Sequence, residues 1–262
     1  MKKALLLFGY FFSVCSWSQD IISLSTVDSL SITVDNYIGK DNLKNDYLIT
    51  NNVLKKINTN EKFQYQNLSL GNIEKVCLTN PLQIVVFYRD FNTIVLLDNQ
   101  LNETQQIDGN KLEIPIKIEG FGLAGQNQVW LYDGFLQKIS LYNFNTNTNK
   151  IISTPIIGKI KDYFSDYNFF YWIDESNTLS SISIFGKIKT IVEIPSYENI
   201  QIADQSKLIY SINQELFYFN TNKQSIIKID INEKSFDNFF FNNGILSIFT
   251  RSHIINYKID LP

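Results

Sequence analysis

The stretch QVWLYDGFLQKISLYNF, Gln128–Phe144, predicts the fold of the whole chain. Apolar and polar residues alternate along it, as in a strand with one buried face; the alternation breaks at Asp133-Gly134 and then resumes. Two alternating runs joined by such a short break are typical of a β-hairpin. Because similar hairpins occur in most other parts of the chain, this stretch is one copy of a repeating unit.

The first strand of this hairpin recurs along the chain at intervals of about 40 residues, the spacing of propeller blades. The copies are DYLITN from Asp46, IVVFYRD from Ile84, VWLYDG from Val129, FFYWIDE from Phe169, LIYSINQ from Leu208 and ILSIFTRS from Ile245. A shorter strand candidate precedes most hairpins and a further one usually follows, so the unit is four short strands. Such a sheet cannot bury both of its faces alone and must stack on copies of itself.

The sequence therefore predicts an all-β fold, a β-propeller of six four-stranded blades. The last unit ends at Asp260–Pro262 after three strands, whereas IISLSTV, Ile21–Val27, alternates outside the first unit. We expect this N-terminal strand to complete the last blade and close the ring. Five or seven blades, a two-sheet sandwich and an unclosed β array remain open alternatives.

Residues 1–18 have the composition of a secretory signal peptide. Lys2 and Lys3 precede an apolar run, Ala4–Val14, and small residues follow it. A membrane-spanning helix needs about 20 apolar residues, more than this run provides. We predict cleavage after Ser18, a single propeller domain over residues 19–262 with no transmembrane segment, and a periplasmic location.

Two cysteines bear on processing and stability. Cys15 raises the alternative of a lipoprotein, but Val14 is a poor residue before a lipidated cysteine. Cleavage leaves Cys77 alone, so no internal disulfide can form and packing must hold the domain together. Cys77 lies in an apolar inner-strand candidate, where we expect a small buried side chain.

The charge of the chain argues against nucleic acid as a partner. The formal net charge is −3 and no cluster of basic residues stands out. Binding to nucleic acid depends on Lys and Arg neutralising phosphates.

Recognisable catalytic motifs are missing from the sequence. His253 is the sole histidine, which excludes metal sites built on two imidazoles. A calcium-dependent hydrolase of the lactonase kind is an alternative, because inner-strand candidates carry Glu74, Asp162, Glu198, Asp204 and Asp237. Ligands of one ion must converge, but these carboxylates differ in position along their strands. We interpret these carboxylates as turn residues at strand ends. We therefore predict no catalytic residue, no metal and no cofactor.

One position of the repeat, at the end of the second strand of each unit, has an unusual set of residues. The residues there are Asn51, Arg89, Asp133, Asp174, Asn213 and Arg251. Arg89 and Arg251 are the two arginines of the chain, and both occupy this position. Since strands of a meander alternate in direction, all six hairpins should open on one face.

Arginine and aromatic residues are favoured at protein interfaces. We therefore predict a partner-binding face at the hairpin tips, formed by Arg89, Phe91, Phe135, Arg251 and His253. The alternative is that hairpin ends need polar residues in any case.

A ligand- or carbohydrate-binding sensor is a third functional alternative. Trp130 and Trp172 could stack on sugars, but both lie inside second strands. We expect them in the core.

The SWSQ ending of the leader, the Asn/Ile/Phe/Tyr-rich repeat and NPLQIVVFYRDFNTIVLLDNQLN, Asn80–Asn102, carry a resemblance over most of the mature chain. The chain resembles exported propeller-like proteins of Bacteroidetes and is similar to the plug component of the type 9 secretion system. The resemblance implies a non-enzymatic periplasmic protein that docks on an outer-membrane complex and caps the inner mouth of its translocon. It adds no catalytic motif.

Overall fold

The chain forms a six-bladed β-propeller, as predicted. The computed structural model describes residues 21–58 and 60–262, so the predicted leader over residues 1–18 lies outside the described residues. The strands are β1 (Ile21–Ile22), β2 (Ser25–Ser31), β3 (Asn36–Lys40), β4 (Asp46–Thr50), β5 (Val53–Ile57), β6 (Lys62–Tyr65), β7 (Lys75–Asn80), β8 (Gln83–Tyr88), β9 (Thr93–Leu97), β10 (Glu103–Asp108), β11 (Ile118–Ala124), β12 (Gln128–Asp133), β13 (Lys138–Asn143), β14 (Thr148–Ile151), β15 (Ile160–Ser165), β16 (Phe169–Asp174), β17 (Thr178–Ser183), β18 (Ile188–Glu193), β19 (Asn199–Asp204), β20 (Lys207–Ile212), β21 (Glu215–Asn220), β22 (Ser225–Ile229), β23 (Asn238–Asn242), β24 (Ile245–Thr250) and β25 (His253–Lys258). A short 3-10 helix, Leu68–Leu70, connects the first two blades.

Each blade is an antiparallel meander of four strands. Blades 1 to 5 are β3–β6, β7–β10, β11–β14, β15–β18 and β19–β22, and blade 6 is β23–β25 with β2. Because strand direction alternates, the turns between second and third strands lie on one face of the disc, which we call the tip face. The turns between first and second strands lie on the opposite face.

Asparagine shapes the tight turns. Both residues of Asn51–Asn52 have positive φ, as do both of Asn213–Gln214 and of Asn243–Gly244. Two-residue hairpins need this conformation because it matches the twist of the flanking strands, and Asn tolerates it better than most residues.

The core lies between blades. Six separate clusters of buried side chains fill the six contacts between neighbouring sheets. Trp130 and Trp172 belong to the cluster between blades 3 and 4, which confirms their expected place. The contact between blades 6 and 1 is the smallest, with Tyr37, Phe249 and Ile254 as its buried members. Burial of one such side chain contributes about 1.5–3 kcal/mol. Because this contact has the fewest buried members, it gains the least stabilisation from burial.

The ring closes with the N-terminal part of the chain, but four residues later than predicted. Ser25–Ser31, not Ile21–Val27, is the outer strand of blade 6 and pairs antiparallel with β25. Ile21–Ile22 pairs instead with β22 of blade 5, in parallel. Ile22 packs against the cluster between blades 5 and 6, which accounts for the apolar pattern that the sequence shows there.

Glycine allows the inner strands to approach one another closely. A Cβ atom on Gly122 of β11 would lie 1.7 Å from Ser165 Oγ and 2.8 Å from Ser165 Cβ, on the inner strand of blade 4. Neither distance is compatible with van der Waals contact. Gly122 therefore permits an approach of the two inner strands that no larger residue would allow.

Candidate functional site

The tip face carries the residues that the sequence predicts for partner binding. Arg89 and Arg251 follow directly after β8 and β24, and Phe91 and Phe135 lie in the turns of blades 2 and 3. His253 begins β25 and is exposed. All five residues therefore lie on one face, spread over three blades.

The two arginines have equivalent partners within their own blades. Arg89 donates to Glu74 Oε1 from Nε at 2.9 Å and from Nη2 at 2.6 Å. Arg251 Nε lies 3.7 Å from Asp237 Oδ1, and its side chain is 93% exposed. Exposed ion pairs contribute at most about 1 kcal/mol, so both guanidinium groups can exchange these partners for others.

The acidic partners occupy a recurring position that the sequence comparison missed. Glu74, Glu198 and Asp237 each stand just before an inner strand and donate their backbone N–H to the second strand of the same blade. Asp35 has the same position in blade 1 and accepts from the backbone N–H of Asn51 at 2.6 Å. The expectation that these carboxylates differ in position was therefore wrong for three of the five.

The other two carboxylates have local partners. Asp162 accepts from the Tyr197 hydroxyl at 2.7 Å, and Asp204 accepts from the backbone N–H and the hydroxyl of Ser206. Over residues 21–58 and 60–262, no group of three or more His, Cys, Asp or Glu side chains is placed to hold a metal ion.

Exposed apolar side chains concentrate on the tip face of blades 2 and 3. Phe135 is 77% exposed, Phe91 51% and Ile157 94%; we define the apolar patch as Phe91, Ile114, Phe135, Leu136 and Ile157. The opposite face has Leu43, Leu82, Tyr167 and Phe185, which are spread over blades 1, 2 and 4.

Hydrogen bonds hold the loops of the apolar patch against the blade tips. Asn92 Nδ2 donates to the carbonyl of Ile116 at 2.7 Å, which ties the loop carrying Ile114 to the tip of blade 2. The N–H of Ile156 donates to the carbonyl of Gln137 at 2.7 Å, which places Ile157 beside the tip of blade 3. Lys117 Nζ lies 5.9 Å from the centre of the Phe135 ring. The patch is therefore built on fixed backbone.

A small cavity of about 60 Å³ lies under this patch, between the 112–116 loop and blade 3. Asp133, 4% exposed, lines it with a carboxylate whose Oδ1 accepts from the N–H of Phe135 at 2.9 Å. Its Oδ2 and Asn149 Oδ1 have no hydrogen-bond donor within the described part of the chain. A water molecule fits a cavity of this size and polarity.

A larger cavity of about 690 Å³ lies on the propeller axis. Inner strands line it, and Lys75, Cys77 and Tyr163 are among the side chains that face it. Cys77 is half-buried there, with Sγ 3.2 Å from Thr79 Oγ1, so its side chain is less buried than we expected. Cys77 both lines the cavity and packs against the core cluster between blades 2 and 3.

Comparisons with known proteins identify the fold. No family model matches the chain, and no curated protein matches it. The structure is similar to virginiamycin B lyase from Staphylococcus aureus, at 12% identity and TM-score 0.58, over 89% of this chain and 99% of that chain. It is also similar to YCF48 bound to D1 peptide, at 8% identity and TM-score 0.56, over 93% and 99%.

A third similar structure is PorZ of Porphyromonas gingivalis, described as an essential bacterial surface component of the type-IX secretion system. The identity is 12%, the TM-score 0.51, and the match covers 87% of this chain and 32% of PorZ. At such identities the likeness shows the propeller fold alone. The similar folds include an enzyme and a protein bound to a peptide, so fold does not decide between these roles.

No helix in the described part of the chain is long and apolar enough to span a membrane.

Proposed function

We propose that this protein is a non-enzymatic, periplasmic docking propeller that binds a partner protein through its tip face. The carrying observation is the apolar patch of five exposed side chains on blades 2 and 3, flanked by Arg89 of blade 2. Exposed aromatic residues and arginine are the side chains that most often dominate binding energy at protein interfaces.

The rigidity of the patch supports this role. Its loops are hydrogen-bonded to the blade tips, so little conformational entropy is lost when a partner docks. Of the carboxylates considered for calcium, Glu74 accepts from Arg89, Asp162 from Tyr197 and Asp204 from turn backbone, and within residues 21–58 and 60–262 no three such groups are placed to hold one ion. This arrangement favours docking over metal-dependent hydrolysis.

For the partner we propose an outer-membrane protein complex, the type 9 protein translocon, with the propeller as a plug at its periplasmic mouth. The sequence resemblance and the similar fold of PorZ, a component of that system, support this choice. A preformed disc is physically suited to closing a wide pore, because it need not order itself on binding.

The test is co-purification of tagged protein from detergent-solubilised outer membranes. We expect Phe91→Asp with Phe135→Asp to reduce recovery of the translocon more than tenfold, as loss of a central interface anchor typically does. Phe185→Asp is the matched control, because Phe185 is 89% exposed on the opposite face. Equal recovery of the translocon with the parent, the Phe91→Asp/Phe135→Asp double variant and the Phe185→Asp control would contradict the tip face as the docking surface.

A second arm tests the arginines. Arg251→Glu reverses a charge that is nearly free in solution, and we expect weaker recovery that depends on salt concentration. Recovery of an unrelated membrane complex through the same face would support docking and remove the translocon as its partner.

A further inference from the structure

The axial cavity has a lysine, Lys75, at its inner end. Lys75 is the first residue of β7, which runs from the tip face towards the opposite face. The cavity mouth is formed by turns between first and second strands, at Asp166, Asp204 and Asn243. Four residues of strand separate Lys75 from Thr79 near the mouth, which corresponds to a depth of about 13 Å. A volume of about 690 Å³ is within the range of small-molecule sites.

The Lys75 ammonium has no close anionic partner. Its Nζ lies 3.7 Å from the centre of the Tyr163 ring and 3.4 Å from the Tyr163 carbonyl oxygen. No carboxylate lies within 4 Å of Nζ in the described residues. The side chain is exposed to the cavity, but the surrounding protein removes water from the ammonium and lowers the pKa of Lys75, an effect that the charges of Asp162 and Glu74 oppose. A charge in such surroundings is stabilised strongly by a counter-ion.

Aromatic side chains form part of the wall between Lys75 and the mouth. Phe121 and Phe240 contribute from blades 3 and 6, and Phe164 from blade 4. The rings of Phe121 and Tyr163 are 6.1 Å apart, centre to centre. Aromatic walls of this kind bind apolar bodies by area burial.

The mouth has fixed acidic groups. Asp166 accepts from the N–H groups of Asn168 and Phe169, and Asp204 from that of Ser206. Lys207 at the mouth donates to the carbonyl of Leu261 at 3.1 Å. The carboxylates of Asp166 and Asp204 disfavour an anionic group at the mouth.

We propose that the axial cavity binds a monocarboxylate with an apolar body, with the carboxylate paired to the Lys75 ammonium and the body against Phe164 and Phe240. A peptide C-terminus and a free medium-chain acid share this chemistry. The cavity opens on the face opposite the docking surface, so a ligand can enter while the proposed partner is bound.

The test uses three probes by isothermal titration calorimetry: octanoate, the tripeptide acetyl-Ala-Ala-Phe with a free carboxylate, and the same tripeptide as its C-terminal amide. We expect at least one of the two acids to bind and the amide to bind at least tenfold more weakly. Preference for the tripeptide acid identifies a peptide C-terminus as the ligand, and preference for octanoate identifies a free acid. Binding of neither acid would overturn the proposal.

Variants locate the site. Lys75→Met retains the length of the side chain without its charge, and we expect binding to weaken about tenfold or more. Lys207→Met removes a cation at the mouth and should leave affinity unchanged. Bound acid should also slow modification of the Cys77 thiol, followed by mass spectrometry of the Cys77 peptide. Equal affinity in the Lys75→Met variant, or loss of binding in Lys207→Met alone, would overturn the assignment to Lys75.

Discussion

Gly122→Ala tests whether close approach of the inner strands holds the ring together. The new Cβ would lie 2.8 Å from Ser165 Cβ, a contact that no side-chain rotation of Ser165 can relieve. Overpacking of this kind costs about 1–3 kcal/mol, whereas replacing glycine by alanine stabilises by about 0.5 kcal/mol through the unfolded chain. We therefore expect the free energy of unfolding to fall by about 1.5 kcal/mol. For a domain of this size the melting temperature should fall by about 3–6 °C.

Thermal unfolding followed by circular dichroism measures this change. Gly125→Ala is the control, because its new Cβ would meet only the Tyr167 carbonyl oxygen at an ordinary 3.5 Å. We expect Gly125→Ala to match the parent or to be slightly more stable. Adding Ser165→Gly to Gly122→Ala removes the clashing atoms and should restore part of the lost stability. A Gly122→Ala protein as stable as the parent, or no rescue by Ser165→Gly, would refute the close-contact explanation.

Deleting residues 21–31 leaves β25 as an open edge of blade 6. We expect a lower melting temperature and more aggregation, which light scattering measures. A monomeric, equally stable product would show that the ring does not need its closing strand. Trp130→Ala removes a fully buried side chain whose Nε1–H donates to the Asp166 carbonyl at 2.9 Å. We expect the free energy of unfolding, measured by denaturant titration, to fall by about 3–5 kcal/mol. Replacing a surface tryptophan that binds sugars would not give such a loss. Burial, with the hydrogen bond to Glu233, raises the pKa of Tyr257 to about 12 from 10.0. Tyr257 therefore ionises at lower pH in the unfolded state than in the folded state, and the free energy of unfolding should fall between pH 10 and pH 12. Tyr257→Phe should make that fall shallower. The same pH profile in parent and variant would contradict this role of Tyr257.

The blades could be predicted because second and third strands repeat a strong alternating pattern. Burial of one face of each strand produces that pattern, and it survives wide sequence drift. The closing strand could not be placed correctly, since every residue of Ser25–Ser31 is exposed and alternation there carries no information. Ile22 and Leu24, two of the apolar residues that suggested a strand at Ile21–Val27, pack instead against the contact between blades 5 and 6.

The recurring acidic position escaped the sequence comparison for a different reason. In five of the six blades the pairing of first and second strands contains a bulge or register shift, for example between Cys77 and Asn80. A bulge changes which residue lies opposite which, so an alignment anchored on second strands loses the register of the first. Glu74, Glu198 and Asp237 could be recognised as equivalent once backbone hydrogen bonds were known.

The closing strand also dictates when the molecule can finish folding. The side chains of Asp28 and Asn256, joined by a hydrogen bond, are 228 positions apart in the chain. Contacts of such long range form slowly, because the loop they close must be ordered first. A nascent chain can therefore stack its early blades as an open arc, but it cannot complete the circle until β25 has been synthesised. During that interval the free edges at both ends of the arc are open to association with other chains, and this is the stage at which a chaperone would have the greatest effect.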